Sequence, residues 1–145
     1  MTKNNKYWLI AAMIAILIAL SGCQSEAAET GGIIDLTVLS GDALHDIMDE
    51  IMLNPEAHLG EVIRVRGLYQ PVFWDVTGQY YHYILIDDPD TCCVMSFEFI
   101  LSGNPTFPDD FPAEDAEIEI IGVFSSYEEL ERTFFYLAVD EIIVR

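Results

Sequence analysis

The sequence predicts a mainly β domain with one N-terminal amphipathic helix, best matched by an OB-like five-stranded antiparallel barrel. Three observations lead there. Residues 44–52 carry a single run of helical periodicity, about five later segments alternate with period two, and a glycine, Gly67, interrupts the first of those segments. A small barrel needs a curved first strand, and a glycine inside a strand marks a bulge or bend. A sandwich, or a helix packed on a sheet, is the alternative arrangement.

The elements follow in order. Ile33 to Leu39 alternates weakly and suits a short strand or an extended lead-in. Ser40 stands where a helix N-cap is expected, with Asp42 in the first turn favouring the helix dipole. Leu44, Ile47, Met48, Ile51 and Met52 form one apolar stripe, and Asp46, Asp49 and Glu50 fall on the opposite face. Asn54-Pro55 ends the helix, because the residue before a proline avoids helical geometry. From Leu59 the period becomes two, with Val62, Ile63, Val65 and Leu68 in a strand that carries Arg64 and Arg66 on one face. Pro71 and the Thr77-Gly78 turn signal separate it from a second strand, Tyr80 to Ile86. Asp87-Asp88-Pro89-Asp90 reads as a turn, Cys92 to Leu101 as a third strand, and residues 102–115, with three prolines, as a long loop. Glu117 to Phe124 is a fourth strand with one wet face. Tyr127 to Arg132 is expected to turn, and Thr133 to Val139 is the fifth strand, which Ile142 to Val144 can extend.

The N-terminus carries a different kind of information. Lys3 and Lys6 precede an apolar run of thirteen residues, Trp8 to Leu20, and Leu20-Ser21-Gly22-Cys23 closes it. That is the order of a secretory signal peptide. Thirteen residues make about 20 Å of helix, short of the ~30 Å hydrocarbon core of a bilayer. The Leu-Ser-Gly-Cys tetrapeptide resembles the lipobox of bacterial lipoproteins. The resemblance implies that Cys23 receives a diacylglyceryl group and that the chain is cut just before it. The expected organisation is therefore a signal peptide at 1–22, a tether of small and acidic residues at 23–32, and one domain at 33–145, held at the outward face of a cell membrane.

Charge and cysteine content narrow the function. Removing Lys3 and Lys6 with the leader takes the net charge from −19 to −21 and leaves four basic residues, Arg64, Arg66, Arg132 and Arg145. Such a chain is a poor match for nucleic acid, whose phosphates need basic groups, and for adsorption on anionic lipid, so the acyl anchor must hold it. The acidity suits cations or basic peptides, or simply keeps an extracytoplasmic domain soluble, which is the favoured reading over a specific cation-binding role. With Cys23 given to the lipid, Cys92 and Cys93 remain as an adjacent pair in a space that permits disulfides.

A wider resemblance runs along residues 45–140. Asn54-Pro55, Leu59-Gly60 and Ile63-Arg64-Val65-Arg66-Gly67 are similar to the first-strand pattern Asn-Pro-x-x-x-x-Gly-x-x-Ile-x-x-x-Gly of small extracytoplasmic OB-like proteins of Firmicutes. Thr77-Gly78-Gln79-Tyr80-Tyr81, Cys92-Cys93, Phe97-Glu98-Phe99, Phe107-Pro108-Asp109-Asp110-Phe111-Pro112 and Gly122-x-Phe124-x-x-Tyr127 continue the likeness. It implies an OB-like fold and little chemistry. The acidic turn before Cys92-Cys93 more distantly resembles the C-terminal domain of a permease-associated family suspected of metal handling. Val94-Met95-Ser96 departs from the small polar run usual after that pair.

Two candidate sites emerge. Cys92 and Cys93, with His82 on the neighbouring strand and Glu98 downstream, offer thiolate, imidazole and carboxylate ligands that suit zinc. Adjacent strand residues face opposite ways, so both thiolates reach one ion only if the backbone turns there. The pair can instead form a strained vicinal disulfide, since neighbouring Cα atoms lie about 3.8 Å apart against the usual ~4.4–6.8 Å, or fill space as small hydrophobes. The second candidate is aromatic: Phe73, Trp74, Tyr80, Tyr81 and Tyr83 cluster around the first hairpin, with Trp74, Tyr81 and Tyr83 the expected ligand-binding residues. The strand 2–3 face is the usual OB binding surface; the competing role for these rings is core filling. Acid pairs such as Asp109-Asp110 and Glu114-Asp115 suit solvated turns better than Ca²⁺ loops. No catalytic motif is present, so no enzymatic activity is expected. The expected function is a membrane-anchored binding module for zinc through the cysteine pair, or for a small ligand, envelope protein or transporter through the aromatic face. A thiol-redox role is a third reading.

The anchor is directly testable. Metabolic labelling with a radiolabelled fatty acid in a lipoprotein-processing bacterial host is expected to mark the wild-type chain and not Cys23→Ala, which should leave the membrane fraction.

Overall fold

A computed structural model of the protein describes residues 32–86 and 94–145. The predicted leader, Cys23 and most of the tether, and the acidic turn with Cys92 and Cys93, lie outside the described residues. The domain is mainly β with one helix. No described helix is long and apolar enough to cross a membrane.

The lead-in is β1 (Ile34–Asp35), followed by a 3-10 turn at Leu36–Val38. Asp35 caps that turn, its Oδ1 accepting from the Thr37 amide at 3.0 Å. Helix α1 (Gly41–Leu53) starts after Ser40 as expected, although the Ser40 side chain makes no capping hydrogen bond. Its stripe of Leu44, Met48 and Ile51 is buried in the same apolar cluster as the strands.

Five long strands follow: β2 (Val62–Trp74), β3 (Gln79–Ile86), β4 (Met95–Leu101), β5 (Glu117–Glu129) and β6 (Arg132–Val144). The sheet runs β1-β2-β3-β4-β6-β5, and β2 also pairs with β5, so the five long strands form a circuit that returns on itself. Two features differ from the expected antiparallel five-strand arrangement. Strand β1 adds a sixth, two-residue strand parallel to β2. Strands β4 and β6 are parallel and pair only from Glu98↔Tyr136 to Leu101↔Val139, so the 95–97 segment of β4 has no partner in β6. Long loops and non-local pairing decide both features, and neither leaves a local signature in the sequence.

The circuit depends on β2. Residues 62–68 pair with β5, residues 68–74 pair with β3, and the exchange happens at Leu68. Gly67 stands at that exchange: a Cβ there would lie 2.1 Å from the Leu85 carbonyl oxygen. The strand does not stop at Pro71, as its missing N–H and the sequence reading suggest. Past Leu68 it pairs with β3 alone, so that N–H is not needed. At the other end β5 continues through Tyr127 to Glu129, and the turn is only Leu130-Glu131, both at positive φ (48° and 61°).

Inward-facing Ile63, Val65, Tyr69, Ile84, Phe97, Phe99, Ile118, Ile120, Phe124, Leu137 and Val139 form the core. A charged clamp ties β1 and Arg145 to the β2–β5 pair. Glu119, 3% exposed, accepts from Arg64 Nε and Nη2 at 2.9 and 2.6 Å and from Arg145 Nε at 3.1 Å. Arg64 also reaches Asp35 of β1 at 3.3 Å. The two guanidinium groups hold the Glu119 carboxyl below its ordinary range.

Gly67→Ala must push two paired backbones apart. It is expected to cost about 2–4 kcal/mol and to lower Tm by roughly 10 °C, measured by thermal unfolding followed by circular dichroism.

Candidate functional site

The alternation of β2 and β3 divides the hairpin aromatics between two faces. Phe73 and Tyr80 lie on the core side at the rim, their ring centroids 5.1 Å apart, and Tyr80 continues to Phe107 of the long loop at 4.3 Å. Trp74, Tyr81 and Tyr83 lie on the opposite, outward face. They do not fill the core.

That outward face is wider than the hairpin. Trp74 packs edge-on against Tyr81 at 5.7 Å and against Phe134 of β6 at 6.5 Å. Phe134 stacks on Tyr127 at 5.5 Å, and Tyr127 meets Tyr136 at 5.7 Å. The pairing Tyr83↔Glu98↔Tyr136 carries one row straight across β3, β4 and β6. Tyr127, Phe134 and Tyr136 were not legible as part of the site, because Tyr127 reads as a turn residue. Their signal was the i, i+2 spacing of Phe134 and Tyr136 opposite Tyr127 and Ser125.

Glu98 sits in the middle of these rings, 8% exposed. The Tyr127 hydroxyl lies 3.0 and 3.2 Å from its two oxygens and donates to them. Beside it, the Tyr81 hydroxyl donates to Glu129 at 2.7 Å and stands 3.0 Å from the Thr77 hydroxyl. Burial pushes the Glu98 carboxyl up; the Tyr127 hydrogen bond opposes this, and the charge of Glu129 adds to the upward shift. Burial and the two carboxylates also raise the Tyr127 and Tyr81 phenols, which keeps both as donors.

Two cavities flank Glu98. One of about 850 Å³ is lined by outward-facing Tyr81, Glu98, Tyr127 and Glu129, by inward-facing Tyr80, His82 and Phe99, and by residues of the 102–111 loop. The second, about 280 Å³, opens between Met52, Tyr83, Ser96, Glu98 and Phe134. It lies where β4 has no partner in β6, so the short parallel pairing creates the space that reaches the carboxylate.

His82 lines the same larger cavity from the inward side of the sheet. It pairs with Phe99 and faces inward, whereas Glu98 pairs with Tyr83 and faces outward. The His82 ring stacks on Phe111 at 3.9 Å and its Nδ1 lies 2.7 Å from the Tyr69 hydroxyl. Burial lowers its pKa to about 4 and raises that of Tyr69 to about 12. The neutral imidazole shares a hydrogen bond with the Tyr69 hydroxyl at Nδ1, which occupies one of its two possible metal-binding nitrogens. Cys92 and Cys93 lie outside the described residues. Among those described, no three His, Cys, Asp or Glu side chains gather closely enough to hold a metal ion.

No family model matches the chain, and no curated protein matches it.

The buried neutral imidazole has a pH signature. The His82 contribution to stability is complete above its unfolded pKa of 6.5 and is lost as pH falls towards the folded value of about 4. The urea midpoint of the wild type is expected to fall relative to that of His82→Phe across that interval. Parallel curves for the two proteins would contradict it.

Proposed function

We propose that this protein is a lipid-anchored extracytoplasmic binding module whose OB-like domain takes its ligand on the outward aromatic wall. The observation that carries the reading is the position of Trp74, Tyr81, Tyr83, Tyr127, Phe134 and Tyr136. Six aromatic side chains face away from the core on the wall that carries the buried Glu98, and two of them, Tyr81 and Tyr127, line the 850 Å³ cavity with it. Burying rings in the core would stabilise the fold more than ranging them on a half-buried outer face, so their placement favours recognition.

The OB-like reading draws support from the partly open circuit of five long strands with a bent, glycine-bearing first strand. The lipid anchor at Cys23 rests on the Leu20–Cys23 tetrapeptide. A domain held by two acyl chains at the outer surface of the membrane meets small solutes and envelope proteins or transporters. Its net charge of −19 makes nucleic acid a poor partner.

The test uses the full chain in detergent. Saturation-transfer NMR against a panel of amines, amino acids, short peptides and sugars is expected to give binders that perturb the Trp74 and Tyr81 ring signals. Trp74→Ala should weaken those binders roughly tenfold, and Cys92→Ser/Cys93→Ser should leave them unchanged. The reverse pattern, with zinc co-purifying and lost in the double cysteine variant, would replace this reading with metal handling.

A further inference from the structure

The domain buries two carboxylates and treats them oppositely. Glu119, 3% exposed, is met by two guanidinium groups. Glu98, 8% exposed, is met by one neutral phenol. Among the described residues no arginine or histidine comes within ion-pair distance of it. A buried carboxylate without a counter-charge is unfavourable, and Glu129 nearby makes it more so. An ionised carboxylate has about four acceptor positions, and the single Tyr127 proton leaves most of them open towards the cavities.

We infer that the larger cavity beside Glu98 takes an organic cation, with an ammonium or guanidinium headgroup seated on the Glu98 carboxylate beside the rings of Tyr81 and Tyr127. This rests on the aromatic-wall reading and adds the chemical class of the ligand. The headgroup supplies the missing positive charge and the missing N–H donors at once. The tyrosine faces attract it through their quadrupoles. Glu129, held in place by Tyr81, contributes a second negative charge at the rim. A hard metal ion suits the site less well, because it asks for six or more oxygens and among the described residues no three acidic or histidine side chains gather to supply them. The net charge of −19 draws cations towards the domain and speeds their encounter with it.

The same geometry makes Glu98 costly to the fold. Its neutral isostere would remove the uncompensated buried charge, so the empty protein should gain stability by losing the residue that binds.

Calorimetric titration of the full chain in detergent tests this with arginine amide as a free cation and with a pentapeptide amide bearing one internal arginine. In each probe citrulline, the neutral isostere of arginine, serves as the control. The citrulline forms are expected to bind at least roughly tenfold more weakly. Glu98→Gln should abolish the preference for arginine and raise the Tm of the ligand-free protein at neutral pH. Glu129→Gln, at the rim, should weaken binding roughly two- to fivefold and keeps the test open if Glu98→Gln misfolds. Asp46→Asn, an exposed acid on the far face of α1, should leave binding unchanged and so separates the site from bulk charge. Preference for the pentapeptide over arginine amide would identify a protein side chain as the source of the headgroup, and the opposite preference a free solute. Equal binding of citrulline and arginine, an unchanged preference in Glu98→Gln, or no binding of either cation would overturn the inference. The first of these outcomes would leave the aromatic-wall reading standing, since the ring signals report on it separately.

Discussion

Everything in this fold depends on one strand serving two neighbours. Strand β2 gives its first half to β5 and its second half to β3, and the exchange is possible only because Gly67 lets the Leu85 carbonyl come to where a side chain would otherwise be. Backbone hydrogen-bonding groups in a small sheet must be paired or solvated. By bending, β2 brings β3 and β5 to opposite sides of one core, and the circuit then continues through β4 and β6. The Arg64–Glu119–Arg145 clamp sits on the β2–β5 half of that arrangement and ties in both β1 and the last residue of the chain.

The same circuit creates the site by being incomplete. Strands β4 and β6 pair over four residues and then separate. Glu98 is the first residue of that pairing, so it lies at the fork with a cavity on either side. Its two flanking residues, Phe97 and Phe99, face the core and fix the strand by packing, which sends the carboxylate outward among the tyrosines. A polar group held by rigid apolar neighbours is preorganised: little side-chain freedom remains to be lost on binding.

Much of this was legible from local patterns. The helix stripe of Leu44, Met48 and Ile51, its stop at Asn54-Pro55, the bend at Gly67 and the turn at Thr77-Gly78 each follow from a residue type with a strong backbone or burial preference. What stayed hidden has equally specific causes. The Leu130-Glu131 hairpin places two ordinary residues at positive φ, where glycine or asparagine would have marked it, so Tyr127 was read into a turn and the outer wall was seen only as far as Tyr83. The parallel β4–β6 contact joins segments more than thirty residues apart, about which a local pattern says nothing. The relation of His82 to Glu98 also lies in register: pairing with Phe99 and Tyr83 respectively starts the two side chains on opposite faces, and the cavity beside them is lined by both.

The most direct probe of the account is the Glu98 carboxyl itself. Titration of the full chain by carboxyl ¹³C chemical shift should find Glu98 protonating above the ordinary range of a glutamate in the free protein, where burial and Glu129 disfavour its charge. Saturation with arginine amide should bring that midpoint down, because a bound cation stabilises the ionised form. A Glu98 that titrates in the ordinary range, or one whose midpoint is the same with and without the cation, would contradict the claim that this buried carboxylate is the seat of binding.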